Sequence, residues 1–165
     1  MIDVVWIVIE GLVYSSILSL IVMSAIYHNP RIELHNYPKD VQGAVHPQTE
    51  REKRQTSVVG IIFMVILSGF PFVSTILLKQ ETSRLSLSDA FINAFGIAFI
   101  FNLVDLVILY WLIACTITPR FLVIPGTEGM KGYKDYRMHV RGFVIGIVLS
   151  IAVGAVIALL VVYIL

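Results

Sequence analysis

The residue with the clearest chemical potential is Asp105, an acid inside a long apolar segment that runs from Ala90 to Thr118. A charge at membrane depth costs at least about 2.5–3.5 kcal/mol, so Asp105 is expected to face other protein groups rather than lipid. Asn102 lies three residues earlier, on the same helical face. Such a pair can form a proton-relay or cation site, or it can hold neighbouring helices together through hydrogen bonds.

The depth of Asp105 identifies further candidates. At about 1.5 Å per residue, Asp105 lies roughly 15 Å from Cys115, taken as the end of its span. Ser68 and Ser150 reach a similar depth on two other apolar segments. We therefore predict a ligand-binding or relay layer made of Asp105, Asn102, Ser68 and Ser150. Since no basic residue falls at matching depth, the Asp105 carboxyl is expected to be protonated or hydrated.

A second group of candidates consists of basic residues near the ends of apolar segments. They could bind phosphate or lipid headgroups, because arginine and lysine are the usual partners of such anions. The alternative is ordinary loop charge that sets membrane orientation and needs no ligand. The candidates for headgroup or anion binding are Arg31, Arg120, Lys131, Lys134 and Arg141.

Histidines and further acids could bind a metal or act as general bases. The residues concerned are His28, His35, His46, His139, Glu33 and Asp40. They lack the His-x-x-x-His spacing of helical metal ligands, and the chain has neither a serine elbow nor a Walker-type loop. We therefore predict no metal site and no cofactor, and we assign no catalytic residue. A net charge of +1 gives no reason to expect nucleic acid as a partner.

The elements that must position these residues are apolar helices. The chain is 58% hydrophobic and 14% charged, against about 45–50% and about 25% in typical soluble domains. A membrane span needs about 20 mostly apolar residues. We predict an all-α integral membrane protein, a four-helix transmembrane bundle forming a single membrane domain over residues 1–165, with spans near 4–27, 57–78, 90–115 and 142–165. The first span lacks the basic start of a signal peptide, so it is expected to be retained.

Basic residues in the connections predict the orientation. Loops 28–56 and 119–141 hold five each, whereas residues 79–89 hold only Lys79 and Arg84. By the positive-inside rule, the two long loops are cytoplasmic and both termini lie outside. The predicted location is the cell membrane, with several passes through it.

Small residues and caps predict how the helices pack and where one begins. Small residues at every fourth position of the last apolar segment form a stripe, which could be a homodimer face or could pack within one bundle. Pro71 is expected to kink or loosen the second span. Thr49 and Glu52 form a capping box that starts a helix near Glu50, supported by a Glu50–Arg54 pair. The stripe consists of Gly142, Gly146, Ser150, Gly154 and Ala158.

Three functional hypotheses follow. The first is a non-enzymatic membrane component whose cytoplasmic loops bind a partner or lipid headgroups, as a homo-oligomer or as part of a larger membrane complex. The second is a small proton- or cation-coupled transporter that uses Asp105. The third is a membrane-embedded enzyme acting on a lipid-linked substrate at the cytoplasmic face.

Overall fold

The computed structural model describes residues 3–82 and 84–165, and helices without any strand make up its regular structure. Short 3-10 helices occupy Pro30–Asn36, Arg120–Leu122 and Lys131–Lys134. The longer elements are α1 (Val4–His28), α2 (Lys39–Ala44), α3 (Glu50–Glu81), α4 (Leu87–Val104), which continues as a π-helix (Asp105–Ile117), and α5 (Tyr136–Tyr163).

Four helices are long and apolar enough to cross a membrane, and this confirms the coarse prediction. They are α1, α3, α5 and the continuous helix Leu87–Ile117. Two of them begin well before the predicted apolar segments, α3 at Glu50 rather than residue 57 and α5 at Tyr136 rather than residue 142. Their additional first turns are polar, so hydropathy alone could not include them.

Side-chain caps start the helices. The predicted capping box is confirmed, with Thr49 accepting from the Glu52 N–H while Glu52 accepts from the Thr49 N–H. The predicted partner of Glu50 was wrong, because Glu50 pairs with Lys53 at 2.7 Å instead of Arg54. Lys53 and Arg54 follow Glu50 by three and four residues. Both therefore lie on the helical face of Glu50, and either cation can reach its carboxylate.

Small residues let α4 and α5 approach closely. A Cβ atom added to Gly154 would lie 3.2 Å from the backbone nitrogen of Phe95, and one on Gly146 would collide with the Asn102 side chain. Ser150 and Ala158 of the same stripe are also buried. From Gly146 to Ala158, the stripe is therefore used for packing within the chain.

Pro71 lies inside α3 without ending the helix. Proline has no N–H, so the carbonyl of Leu67, four residues earlier, loses its helical donor. The hydroxyl of Tyr14 in α1 donates to this carbonyl at 2.8 Å. Tyr14 is completely buried and stacks on Phe70. A neighbouring helix thus replaces the hydrogen bond that the proline removes.

The connections 29–49 and 118–135 pack against each other at one end of the bundle, here called the loop end. Tyr37 of the first connection donates its hydroxyl to the Leu122 carbonyl of the second at 2.7 Å, and burial raises the pKa of Tyr37. Tyr133 packs edge-on against Tyr37 and accepts from the Ile124 N–H. The two connections and the last turn of α1 therefore form one apolar core of buried residues: Ile26, Leu34, Tyr37, Val41, Leu122, Ile124 and Tyr133.

Candidate functional site

A cavity with a volume of about 970 Å³ lies at the loop end. Three segments form its walls: residues 35–42 of the first connection, the start of the π-helix, and residues 131–145. Its lining combines charged side chains with apolar ones such as Leu106, Phe143 and Ile145. This is the composition of a site for a molecule with a polar and an apolar part.

Four cationic side chains line this cavity: Lys39, Lys131, Arg137 and Arg141. All four are exposed. Among the described residues, no carboxylate lies within 4.0 Å of any of them. They are therefore available to an anion, and two of them, Lys131 and Arg141, were sequence candidates.

Two of the three acids that line the cavity accept hydrogen bonds from backbone N–H groups. Asp40 accepts from the Gly132 N–H at 3.0 Å, which ties the first connection to the second. Asp135 caps α5 by accepting from the Met138 N–H at 3.1 Å. The third acid is Asp105, and its carboxylate has neither a hydrogen bond nor an ion pair with the described residues.

Asp105 stands where the third long helix changes its winding. It is the first residue of the π-helix, and its N–H is shared between the carbonyls of Phe101 and Asn102. The π-helix ends at Ile117, and the next residue, Thr118, adopts a left-handed conformation with φ 48°. π-Helical turns often occur at functional sites. The sequence carried no signal for this change of winding.

The residues found at the level of Asp105 differ from those expected from the sequence. The Asn102 amide donates to the Phe143 carbonyl at 3.0 Å, so these residues lie side by side. Because α5 runs antiparallel to α4, Asp105 lies level with the first turns of α5, where His139 and Arg141 are found. All three residues line the same cavity. The expectation of no basic residue at matching depth was therefore wrong.

Tyr110 and His139 stand beside Asp105. Their rings stack with centroids 4.1 Å apart, and His139 is buried. Behind them, a narrow apolar cleft of about 50 Å³ extends between α1 and the π-helix. Asp105, Tyr110 and His139 line both the cavity and the cleft, so they form the boundary between the two.

The predicted layer of four polar residues is not linked by hydrogen bonds in the described part of the chain. Ser150 donates to the Gly146 carbonyl and Ser68 to the Met64 carbonyl, each within its own helix. Ser68 is exposed, and Asn102 bonds α5. Of the four, Asp105 alone lines the cavity.

The other predicted anion ligands have different surroundings. Arg31 bonds Glu52 at 2.7 Å and also the carbonyls of His46 and Pro47. Lys134 donates to the Cys115 carbonyl at 2.5 Å and to Thr116 and Thr118 at 3.1 Å, where a cation complements the end of a helix. Arg120 lines a separate cavity on the second connection.

A buried polar network at the opposite end of the bundle was missed from the sequence. Asn93 of α4 donates to Ser74 and Thr75 of α3, and Ser74 donates to the Glu10 carboxylate of α1 at 2.5 Å. Ser74, Thr75 and Asn93 are buried. The four residues occur on three separate segments, so spacing within one segment could not reveal them.

The histidines and acids do not form a metal site in the described residues, where no group of three or more potential ligands occurs. No histidine nitrogen in residues 3–82 and 84–165 lies within 4.0 Å of a carboxylate oxygen. In the comparisons with known proteins, no family model, curated protein or solved structure matches the chain significantly.

Proposed function

We propose that this protein is a multi-pass, non-enzymatic membrane component that binds the phosphate-bearing headgroup of a lipid in its loop-end cavity. The observation that carries the proposal is the presence, in one cavity of about 970 Å³, of four cationic side chains that have no carboxylate partner among the described residues and that lie beside apolar helix residues. The loop end would face the cytoplasm.

The chemistry of the lining favours a phosphate. Arginine binds phosphate through two parallel N–H donors, and charge-assisted bonds of this kind are about twice as strong as neutral ones. Arg137 and Arg141 are four residues apart on α5, so they lie on one helical face. Arg31 and Lys134, two other cations near the loop end, are used for internal bonds, whereas the four cations that line the cavity have no carboxylate partner among the described residues.

The position of the cavity favours a lipid as the source of that phosphate. It lies where the polar first turns of α5 give way to the apolar segment, and Phe143 and Ile145 belong to its wall. Ile145 is 60% exposed, as expected for a side chain that contacts lipid. A volume near 970 Å³ is at the upper end of the usual ligand-site range of about 300–1,000 Å³, so it can hold a complete headgroup.

The distribution of charge supports the orientation. Ten of the twelve lysines and arginines lie in loops 28–56 and 119–141, and the remaining two are Lys79 and Arg84. Positively charged short loops remain in the cytoplasm. The cavity would then face the leaflet in which anionic lipids attract basic residues.

The proposal can be tested with purified protein in nanodiscs that contain phosphatidylglycerol as the probe. The double variant Arg137→Gln, Arg141→Gln should weaken lipid binding about tenfold to a hundredfold, because two charge-assisted bonds are lost. Native mass spectrometry of retained lipid and lipid-dependent thermal stabilisation would measure this effect.

The matched control is Arg51→Gln, Arg54→Gln, which removes the same charge from exposed residues near the loop end outside the cavity. This control should bind lipid as the unmodified protein does. Equal loss in both double variants would mean that the attraction comes from overall charge, and the cavity proposal would then be wrong.

The geometry gives less support to the other two functions. An enzyme acting on a lipid would need an activated base, yet in the described residues no histidine pairs with a carboxylate. A carrier would need a path through the bundle, and the two cavities that Asp105 lines both lie at the loop end. Headgroup binding uses the free cations directly.

A further inference from the structure

We propose that the bound headgroup ends in an unesterified phosphate, and that Lys39 and Lys131 bind the outermost oxygen of this phosphate. The inference rests on the proposed headgroup site and specifies its ligand as a lipid phosphomonoester. It assigns a selective role to the two cavity cations that come from the connections rather than from α5.

The two lysines, here called the rim lysines, lie at the end of the cavity that is farthest from the apolar segments. Lys39 is the first residue of α2, and Lys131 begins the 3-10 helix of the second connection. Both are exposed, and no carboxylate of the described residues lies within 4.0 Å of either. Asp40, beside Lys39 in the chain, accepts from the N–H groups of Val41 and Gly132 instead. The rim therefore offers two cations to a ligand.

The apolar part of the lining determines the direction in which a lipid occupies the cavity. Leu106 and Phe143 belong to the long helices, so the acyl chains belong on their side. The phosphate then lies beside the arginines of α5, and whatever is attached beyond the phosphate faces the rim lysines. In a phosphodiester this group is the alcohol. In a phosphomonoester it is a third anionic oxygen.

The number of donors in the cavity also favours three free phosphate oxygens over two. Arg137 and Arg141 can each present two parallel N–H donors to a phosphate. A phosphomonoester carries three strong acceptor oxygens and a charge of about −1.5 to −2 at pH 7, whereas a diester has two such oxygens and a single charge. The rim lysines add three donors each. They would face an uncharged alcohol in a diester, but an anion in a phosphomonoester.

The order of charges along the cavity disfavours lipids with an amine. Asp105 belongs to a long helix and lies level with the first turns of α5, whereas the rim lysines lie beyond it on the connections. A headgroup that carries an amine beyond its phosphate would place this ammonium beside Lys39 and Lys131. Because like charges repel, such a lipid should bind less well than one that ends in phosphate.

The test compares three lipids with identical acyl chains, each titrated into purified full-length protein in detergent micelles. Phosphatidic acid ends in the free phosphate, phosphatidylmethanol caps it with one methyl group, and phosphatidylethanolamine places an ammonium beyond it. The unmodified protein should bind phosphatidic acid about tenfold more tightly than phosphatidylmethanol, because the cap removes one charge-assisted interaction at almost no change in size. Phosphatidylethanolamine should bind most weakly.

The decisive variant is Lys39→Gln, Lys131→Gln, which should bind phosphatidic acid no more tightly than phosphatidylmethanol. Its affinity for phosphatidylmethanol should stay nearly unchanged. The matched control is Arg51→Gln, Arg54→Gln, which removes the same charge outside the cavity and should keep the tenfold preference. The arginine double variant of α5 should weaken the binding of both lipids.

The outcomes separate this inference from the proposed function. Equal binding of phosphatidic acid and phosphatidylmethanol by the unmodified protein, or a preference that survives in the lysine variant, would overturn the inference and leave phosphate binding in place. Loss of the preference in the Arg51, Arg54 control, or binding of phosphatidylethanolamine above that of phosphatidylmethanol, would also overturn it. If neither anionic lipid binds, or if the arginine variant of α5 binds both normally, the headgroup function itself is wrong.

A water-soluble ligand distinguishes the source of the phosphate. Glycerophosphate has the same terminal phosphate without acyl chains, and it should bind at least about a hundredfold more weakly than phosphatidic acid, because it loses the apolar contacts. Equal binding of the two would assign the cavity to a soluble phosphate ester and would contradict a lipid ligand.

Discussion

The hydrogen bond from Tyr14 to the Leu67 carbonyl is the single contact with the clearest energetic consequence. Pro71 removes the usual donor to that carbonyl, and Tyr14 supplies another one from α1 at 2.8 Å. In an apolar environment, an unpaired carbonyl has no water to bind. The tyrosine hydroxyl therefore makes the proline tolerable.

We predict that Tyr14→Phe lowers the free energy of unfolding by about 1 kcal/mol, since it keeps the ring and removes only this donor. The measurement is reversible unfolding in mixed detergent micelles. Tyr27→Phe is the control, because Tyr27 is 75% exposed, and it should change stability by less than about 0.5 kcal/mol.

The proline provides a sharper check on this explanation. Pro71→Ala restores the N–H that donates to Leu67 within α3, so Tyr14→Phe should cost little in that background. If the substitution costs the same with and without Pro71, then Tyr14 stabilises the protein through ring packing rather than through this hydrogen bond.

Among the helices, α4 and α5 form a contact that depends on small residues. At Gly154, an added Cβ would lie 3.2 to 3.3 Å from the main-chain atoms of Phe95. The backbone of Phe95 cannot rotate away from an added side chain as a flexible side chain could. The close approach of the two helices therefore excludes large side chains at this position.

We predict that Gly154→Leu separates α4 from α5 and lowers the free energy of unfolding by about 1–3 kcal/mol. Gly142→Leu is the matched control, because it belongs to the same stripe but has no atom within 4 Å of its added Cβ. It should be neutral or slightly stabilising, since leucine favours helix more than glycine does. Equal effects at the two positions would contradict this packing.

The π-helix and the second connection depend on each other. Lys134 donates to the carbonyls of Cys115 and Thr116 at the end of the π-helix, and the connection that carries Lys134 begins where that helix ends. The same connection supplies Lys131 to the cavity wall. The end of the helix and the rim of the proposed site are therefore held together by one segment.

For the whole molecule, the proposed orientation places the loop end in the cytoplasm and the connection between α3 and α4 outside. Ala44 lies in the first connection of the loop end, at the end of α2, and Ser88 lies near the start of α4; both are exposed. In the proposed orientation, the two positions lie on opposite sides of the membrane.

We predict that, in a Cys115→Ala background, Ser88→Cys reacts with a membrane-impermeant maleimide on intact cells, whereas Ala44→Cys reacts only after permeabilisation. Cys115 must be removed first so that each protein has one thiol, although its side chain is completely buried. The reverse pattern of labelling would invert the topology, and it would place the cavity on the outer face.

Local properties of the chain were sufficient to predict several features of this protein. Four apolar segments predicted four long helices, because hydrophobicity is averaged along a continuous stretch of residues. The Thr49–Glu52 capping box predicted the start of α3, because all its atoms lie within four residues. Asp105 was recognised as unusual for the same local reason, since it interrupts an apolar run.

Only the tertiary structure decided which distant residues come together. Asp105 shares a cavity with Arg137 and Arg141, Tyr14 replaces the donor missing at Pro71, and Glu10 accepts from Ser74. Each of these arrangements depends on the rotation and level of helices that are far apart in the chain. Levels shift when a helix changes its winding, as at Asp105, so a ruler of constant rise misjudges which side chains lie opposite each other.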